Sequence, residues 1–326
     1  MSIPEREWKE ALAAITEAPR IALACHLGPD GDALGSLLAM TMALRNAGHQ
    51  TVASWGSDPF SVPPHYTYLP SLDLLSPPSS FPPAPELMIT FDAGSLERLG
   101  TLEPNARAAG KLIVIDHHVS NDHFGTINLI DGEAAASAVI VFELLKRMAL
   151  PIGQAIASCL YTGLVTDTGR FQYKNTTPEV HRMAAELITA GAPHVQITQQ
   201  IYNTHPVGYL RLAALALEKL EVREDASLVW TWVTKEDLAR SDVGLEDIEA
   251  LIDLVRTADI ADVAVVLKQE ADGRYRVSMR SKGAADVGSV ATRFGGGGHA
   301  LAAGFTTVNG DPRTTIEEIA GALRRS

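Results

Sequence analysis

Residues 25–36 read CHLGPDGDALGS, and they bring His26, Asp30 and Asp32 into one short polar segment. The apolar run RIALACH ends at this segment and predicts a buried β-strand. The following DALGSLLAMTMALRNAGH has helical spacing, and Gly48 near its end favours helix termination. A strand, a polar loop and a helix in this order predict the first βα unit of a parallel sheet. The loop then lies at the carboxyl end of a strand, where such sheets bind their ligands.

The same alternation continues through the first half of the chain. QTVAS predicts a second strand, and ELMITFDAG and KLIVIDHH contain two more apolar runs rich in Ile and Val. EAAASAVIVFELLKRMAL and PIGQAIASCLYTGLVTD predict helices. Nine of the 18 prolines fall within residues 58–85, which predicts an irregular surface connection. Together these segments predict an α/β fold whose N-terminal domain has a doubly wound, mainly parallel sheet.

The second half of the chain has a different pattern. ASLVWTWVT, ADVAVVLKQE and RYRVSMRSKG predict strands, and residues 245–255 have helical spacing. We therefore expect a smaller C-terminal α/β domain with a mixed sheet. The predicted limits are 1–190 for the N-terminal domain, 191–215 for a linker helix region and 216–326 for the C-terminal domain.

Composition and charge limit the class of protein. The 326 residues are 46% hydrophobic and 20% charged, a balance that suits two globular domains. No apolar run is long enough to span a membrane, and the charged N-terminal segment predicts an amphipathic helix rather than a signal peptide. Two cysteines in apolar segments, Cys25 and Cys159, favour a cytoplasmic protein. The net charge of −12 argues against tight binding of long nucleic acid, but it permits a short phosphorylated substrate.

Acidic and histidine residues follow the apolar runs of the first half. Carboxyl ends of parallel strands share one edge of the sheet, so these side chains, each at a strand end, are expected to meet there. So many anions would repel one another unless cations lay between them. Oxygen and imidazole ligands without a thiolate suit two Mn²⁺ or Mg²⁺ ions, which can activate a water to hydrolyse phosphate esters. The residues concerned are His26, Asp30, Asp32, Asp92, Asp116, His117, His118 and Asp167.

A second signal is RFGGGGHALAAGF, at residues 293–305. Successive glycines let backbone amides approach an anion, and the apolar run after them is expected to begin a helix. His299 follows the glycines, and Arg280 in VSMRSKG suits bidentate phosphate binding. A flexible loop and a solvated charge at a strand end are the structural alternatives.

These motifs resemble those of a known family. HLGPDGDALGS, FDAGSLERLG, VIDHHVSN and YTGLVTDTGRFQY are similar to the four motifs of the DHH phosphoesterases. RFGGGGHALAAGF resembles the signature of their DHH-associated C-terminal domain. The resemblance covers nearly the whole chain, and the layout is most similar to the nanoRNase-like bifunctional oligoribonucleases and pAp phosphatases. It implies a DHH catalytic domain, a substrate-binding C-terminal domain and an active site in the cleft between them.

The resemblance also implies a role for each motif residue. One Mn²⁺ would be held by His26, Asp30 and Asp92. The second would be held by Asp32, Asp92, His117 and Asp167, so that Asp92 bridges. His118 would act beside the scissile phosphate, with Asp116 orienting an imidazole. The nucleotide would be bound by Arg280, His299, Gly296, Gly297 and Gly298.

The resulting expectation is a two-metal phosphoesterase that hydrolyses short oligoribonucleotides to mononucleotides and pAp to AMP. The alternatives are a phosphodiesterase for linear dinucleotides such as pApA and a non-catalytic nucleotide-binding module. An inorganic pyrophosphatase is disfavoured because that group lacks the GGGGH loop. The sequence leaves open the preferred substrate length and the polarity of digestion. It also leaves open whether the ion is Mn²⁺ or Mg²⁺ and whether the protein forms a homodimer. Arg98 is expected to form a surface ion pair rather than to bind a phosphate.

Overall fold

The computed structural model describes residues 2–308 and 310–325. The chain divides into two compact units, Met1–Asn203 and Thr204–Ser326. This division falls inside the predicted linker region, because Ile197 packs into the first core whereas Tyr209 packs into the second. The limits 1–190, 191–215 and 216–326 of the functional domains stay a prediction.

The first unit contains a five-stranded sheet in which every neighbouring pair is parallel, in the order β2-β1-β3-β4-β5. Its strands are β1 (Arg20–Cys25), β2 (Gln50–Trp55), β3 (Leu87–Phe91), β4 (Lys111–Asp116) and β5 (Ile127–Ile130). Its helices are α1 (Glu5–Glu17), α2 (Gly31–Asn46), α3 (Glu103–Arg107), α4 (Ser137–Arg147), α5 (Gln154–Asp167), α6 (Pro178–Thr189) and α7 (His194–Tyr202). The predicted parallel α/β architecture is confirmed, and the proline-rich segment 58–85 contains only short 3₁₀ turns.

Helices α2 and α5 pack unusually closely in the core of the first unit. A Cβ atom added to Gly35 would lie 2.3 Å from the carbonyl oxygen of Cys159, and one added to Gly163 would lie 2.6 Å from Oδ1 of Asp32. Both values are far below van der Waals contact, so only glycine fits at these positions. This close packing brings the first turn of α2 next to the last turns of α5.

The second unit contains a six-stranded mixed sheet in the order β10-β11-β9-β8-β7-β6. Only β7 and β8 are parallel among its neighbouring strands. The strands are β6 (Glu221–Arg223), β7 (Leu228–Val233), β8 (Val263–Gln269), β9 (Tyr275–Ser281), β10 (Gly297–His299) and β11 (Ala302–Thr306). The helices are α8 (Val207–Glu218), α9 (Lys235–Ser241), α10 (Leu251–Val255), α11 (Val287–Arg293) and α12 (Pro312–Leu323). The mixed C-terminal sheet is therefore confirmed.

The apolar run after the four glycines forms a strand, so the helix predicted there is wrong. Ala303 and Phe305 alternate with less buried residues, and β11 pairs with both β9 and β10. This two-residue period places Phe305 in the core beside α11, which precedes the glycines. Within residues 2–308 and 310–325, no helix has both the length and the hydropathy of a membrane span.

The close packing of α2 on α5 predicts that Gly35→Ala lowers the free energy of unfolding by about 2 kcal/mol, because the new methyl group overlaps a backbone carbonyl. Chemical denaturation followed by circular dichroism measures this difference. Gly153→Ala is the matched control, because its Cβ would meet no atom within 4 Å and its φ of −84° suits alanine. Equal stability of the two variants would contradict the packing argument.

Candidate metal centre

Three neighbouring strands of the first sheet end at the same level. Cys25 at the end of β1 pairs in register with Phe91 at the end of β3, and Phe91 pairs with Ile115 in β4. The next residues of these strands, His26 and Asp92 among them, therefore leave the sheet side by side. This register explains why the side chains that follow these strands lie at one edge of the sheet.

Helices supply the other acidic groups. Asp30 is the N-cap of α2, where its side chain accepts hydrogen bonds from the backbone amides of Asp32 and Ala33. Asp32 lies in the first turn of α2, and Asp167 is the last residue of α5. Asp167 thus reaches the site from a helix end rather than from a strand end.

Asp92 occupies the centre of the group. Its backbone adopts a left-handed conformation with a φ of +57°, which aspartate tolerates better than most residues. Its Oδ2 lies 3.4 Å from Nε2 of His26, and its Oδ1 lies 3.4 Å from Nε2 of His117. One carboxylate therefore presents a different oxygen to each of two imidazoles, as a bridging ligand does.

Two groups of possible ligands share this carboxylate. In the first, His26 Nε2 lies 3.8 Å from Asp30 Oδ1. In the second, His117 Nε2 lies 3.1 Å from Asp167 Oδ2 and 4.0 Å from Asp32 Oδ2. Ligand atoms around an ion at roughly 2.1 Å are about 3 Å apart, so these separations suit two coordination shells.

Both imidazoles are oriented for metal binding. His26 Nδ1 lies 2.8 Å from the carbonyl oxygen of Leu27, and His117 Nδ1 lies 3.2 Å from that of Ala134. A backbone carbonyl only accepts, so each Nδ1 donates a proton to it, and each Nε2 on the other side of the ring faces the carboxylates, where a divalent cation would take the place of the Nε2 proton. This orientation is the one that a metal-bound histidine requires.

The buried negative charges of the group also favour the binding of cations. Burial raises the pKa of Asp32 well above its usual range, and the charges of Asp92 and Asp167 raise it further. Burial likewise raises the pKa of Asp167, to about 6. Burial alone would lower the pKa of His26, but hydrogen bonds to Asp30 and Asp92 outweigh it and raise that pKa to about 10. Carboxylates packed this tightly need positive charge between them, and the oxygen and imidazole donors fit divalent Mn²⁺ or Mg²⁺.

Comparisons with known proteins agree with this donor set. Residues 20–164 match the DHH family, N-terminal domain, and residues 231–324 match the DHHA1 domain. The bifunctional oligoribonuclease and PAP phosphatase NrnA of Thermus thermophilus is 31% identical, over 98% of this chain and 96% of its own length. The chain belongs to the DHH phosphoesterase family. It is therefore similar to metal-dependent hydrolases of phosphate esters.

Further relatives extend the comparison. The NrnA protein of Bacillus subtilis is 27% identical, over 94% of this chain and 95% of its own length. An exopolyphosphatase-related protein from Bacteroides fragilis has the same fold, with a TM-score of 0.90 at 24% identity over 99% of this chain and 97% of its own. RecJ from Thermus thermophilus, crystallised with Mn²⁺, gives a TM-score of 0.58 at 14% identity over the whole of this chain and 55% of its own.

In this DHH protein, the N-terminus of α4 fixes Asp32. The backbone amide of Ser137 donates to Asp32 Oδ2 at 2.6 Å, and that of Ala138 donates to Oδ1 at 2.9 Å. The Ser137 hydroxyl also donates to Asp92 Oδ1 at 3.1 Å. A helix N-terminus stabilises negative charge, so α4 orients two of the acidic groups at once. Ser137 was not among the residues predicted from the sequence, because nothing local indicates a contact across 105 residues of chain.

A second hydrogen-bonded chain orients His118. Its Nδ1 donates to Oδ1 of the fully buried Asp116 at 2.7 Å, and Asn121 donates to Oδ2 of Asp116 at 2.6 Å. Asn121 also donates to the carbonyl oxygen of Ala93, next to Asp92. This geometry supports an orienting role for Asp116 and adds Asn121, which stands in the VIDHHVSN motif but was given no role there.

Arg98 lies at the edge of the first ligand group. Its Nη2 is 3.1 Å from His26 Nδ1, and its carbonyl oxygen accepts from the backbone amide of Leu27. Among the described residues no carboxylate lies within ion-pair distance of Arg98, so the expected surface ion pair does not form. The guanidinium instead stands beside a candidate metal ligand.

In the second unit, two of the predicted nucleotide-binding residues lie side by side on one face of the sheet. Arg280 on β9 and His299 on β10 both pair in register with Ala302 of β11, so they share one face of the sheet. Gly297 pairs with Gly304 and shares that face, whereas a Cβ on Gly296 would lie 2.1 Å from the carbonyl oxygen of Gly304. Gly296 is thus required by packing, and Gly298 has a φ of +136° that favours glycine.

The shared position of Asp92 predicts that Asp92→Asn weakens binding of both ions by more than about 100-fold, because each ion loses a charged ligand. Titration of Mn²⁺ by calorimetry on the metal-free protein measures this. The exposed Asp73→Asn is the control. Loss of one ion with the other retained at its original affinity would contradict the bridging role.

The hydrogen bonds of Asn121 predict that Asn121→Ala lowers kcat about tenfold with little change in KM, because Asp116 and then His118 lose their orientation. Hydrolysis of bis(p-nitrophenyl) phosphate with Mn²⁺ measures both constants. Equal Mn²⁺ content in the variant would exclude an indirect effect through the metals. An unchanged kcat would remove Asn121 from the positioning chain.

Proposed function

We propose that this protein is a Mn²⁺-dependent oligoribonuclease and pAp phosphatase, which releases mononucleotides from short RNA and AMP from pAp. The observation that carries the proposal is the Asp92 carboxylate, whose two oxygens each face an imidazole of a separate group of possible metal ligands. The relatives named for these two activities align over nearly the whole chain. The net charge of −12 favours a short substrate over a long one.

Two divalent cations in such a site would supply an activated water and neutralise charge on the phosphate that is attacked. His26, Asp30 and Asp92 would hold one ion, and Asp32, Asp92, His117 and Asp167 the other. Asp32 keeps its position through the α4 amides, so the ligands are arranged before substrate arrives.

His118 would serve the leaving group. Its Nδ1 is bound to Asp116, which favours a protonated imidazole able to give a proton to the departing oxygen. Burial lowers the pKa of His118, but Asp116 and Asp92 outweigh that effect and raise the pKa. Arg280 and His299 would bind a phosphate of the nucleotide, and Gly297, two residues before His299 on the same face, leaves the adjacent surface open.

Product analysis with Mn²⁺ tests the proposal on pAp, pApA, an RNA pentamer, a long RNA and pyrophosphate. We expect AMP from pAp and mononucleotides from the pentamer, slow turnover of the long RNA and none of pyrophosphate. Asp92→Asn should abolish every activity.

Two outcomes would contradict the proposal. Turnover of pApA alone would assign the enzyme to linear dinucleotides. Binding of nucleotides without any turnover would favour a non-catalytic binding module.

A further inference from the structure

One face of the second sheet is covered over only part of its width. Helices α11 and α12 cover the face that contains Val277 and Phe305. On the other face, α8 and α10 pack over Ala264 and Val266 of β8. The side chains of β9 and β11 on that second face remain half-exposed. In register they are Arg276 with Thr306, Ser278 with Gly304 and Arg280 with Ala302.

This half-open surface carries an excess of positive charge. Lys268, on β8, is only 1% exposed, and its Nζ donates to Glu249 Oε2 at 2.7 Å. Arg276 Nη2 lies 3.0 Å from the other oxygen of Glu249. Arg280 lies close enough for its charge to act on both Lys268 and Glu249. Two cations thus contact this carboxylate and a third lies near it, in a chain whose net charge is −12.

Glu249 pairs with only some of the N–H donors of the Arg276 guanidinium. The Nε–H group of Arg276 is buried and has no acceptor within the described part of the chain. About 40% of this side chain is exposed. A guanidinium presents five donors in a planar fork that matches phosphate oxygens, so a second anion can add to the contact with Glu249.

The distance between the Cα atoms of Arg276 and Arg280 along β9 exceeds the length of one nucleotide. Arg276 and Arg280 are four residues apart on one face, which places their Cα atoms about 14 Å apart along the strand. Ser278 stands halfway between them, and the small residues Gly304 and Ala302 form the neighbouring surface. A single phosphate group bound at Arg280 and His299 would leave Arg276 available to a second phosphate farther along the strand.

We propose that Arg276 and Ser278 form a subsite for the phosphates of the following nucleotides of a short RNA whose end is bound at Arg280 and His299. The subsite rests on the proposed function, and it gives that function a length preference. Substrates with several phosphodiester groups reach Arg276, and pAp does not.

The test compares Arg276→Gln and Arg276→Ala with the wild-type protein on pAp and on a 5′-phosphorylated adenosine pentamer, with Mn²⁺. We expect KM for the pentamer to rise about tenfold, the effect of losing one charge-assisted contact. The value of kcat/KM for pAp should stay unchanged. The logarithmic salt dependence of pentamer binding should flatten by about 0.7, as for one lost phosphate contact on a single strand.

Arg324→Gln is the matched control, because Arg324 is an exposed arginine paired with Asp225 at the end of α12, on the opposite face of the sheet. It should leave both substrates unaffected. Thermal unfolding of all variants separates a folding defect from a binding defect. Equal losses on pAp and pentamer would show a structural role for Arg276 and overturn the subsite.

Binding of a fluorescent pentamer, measured by anisotropy, separates the subsite from the proposed function. Wild-type protein that binds the pentamer more tightly than the Arg276 variants, yet does not cleave it, would support the subsite and contradict the oligoribonuclease activity. Equal binding by wild type and variants would overturn the subsite alone. No binding of the pentamer by wild type would overturn both.

Discussion

The candidate metal centre depends on the contact of one carboxylate with two imidazoles. Asp92 presents one oxygen to His26 and the other to His117, and the remaining ligands complete a group on each side. Four aspartates this close together repel one another, so the group is stable only with positive charge inside it. The fold must therefore hold the carboxylates in place against their own repulsion.

Three features of the fold meet that requirement. The in-register ends of β1, β3 and β4 deliver His26, Asp92 and His117 side by side. Glycines at the contact of α2 and α5 let two helices approach closely enough for acidic residues from both to reach the group. The amides at the start of α4 bind Asp32 directly, which replaces the hydration that this buried carboxylate has lost. The same few helix ends and strand ends thus belong to the packed fold and position the candidate metal ligands.

The sequence alone predicted the parts of the site that depend on local pattern. Apolar runs ending in His or Asp indicate strand ends, and parallel strand ends meet at one edge, so His26, Asp92 and His117 could be placed together. Ser137 and Asn121 could not, because their roles depend on hydrogen bonds formed only after distant elements pack. The segment after the glycines was predicted to begin a helix because glycine-rich loops that bind anions commonly lead into a helix N-terminus. Its pairing with both β9 and β10 determines that it is a strand.

Anomalous diffraction from crystals grown with Mn²⁺ tests whether Asp92 bridges two metal ions. We expect two anomalous peaks, one on each side of the Asp92 carboxylate. One peak would lie among His26, Asp30 and Asp92, and the other among Asp32, Asp92, His117 and Asp167. A single peak, or two peaks that do not share Asp92, would contradict the two-metal centre.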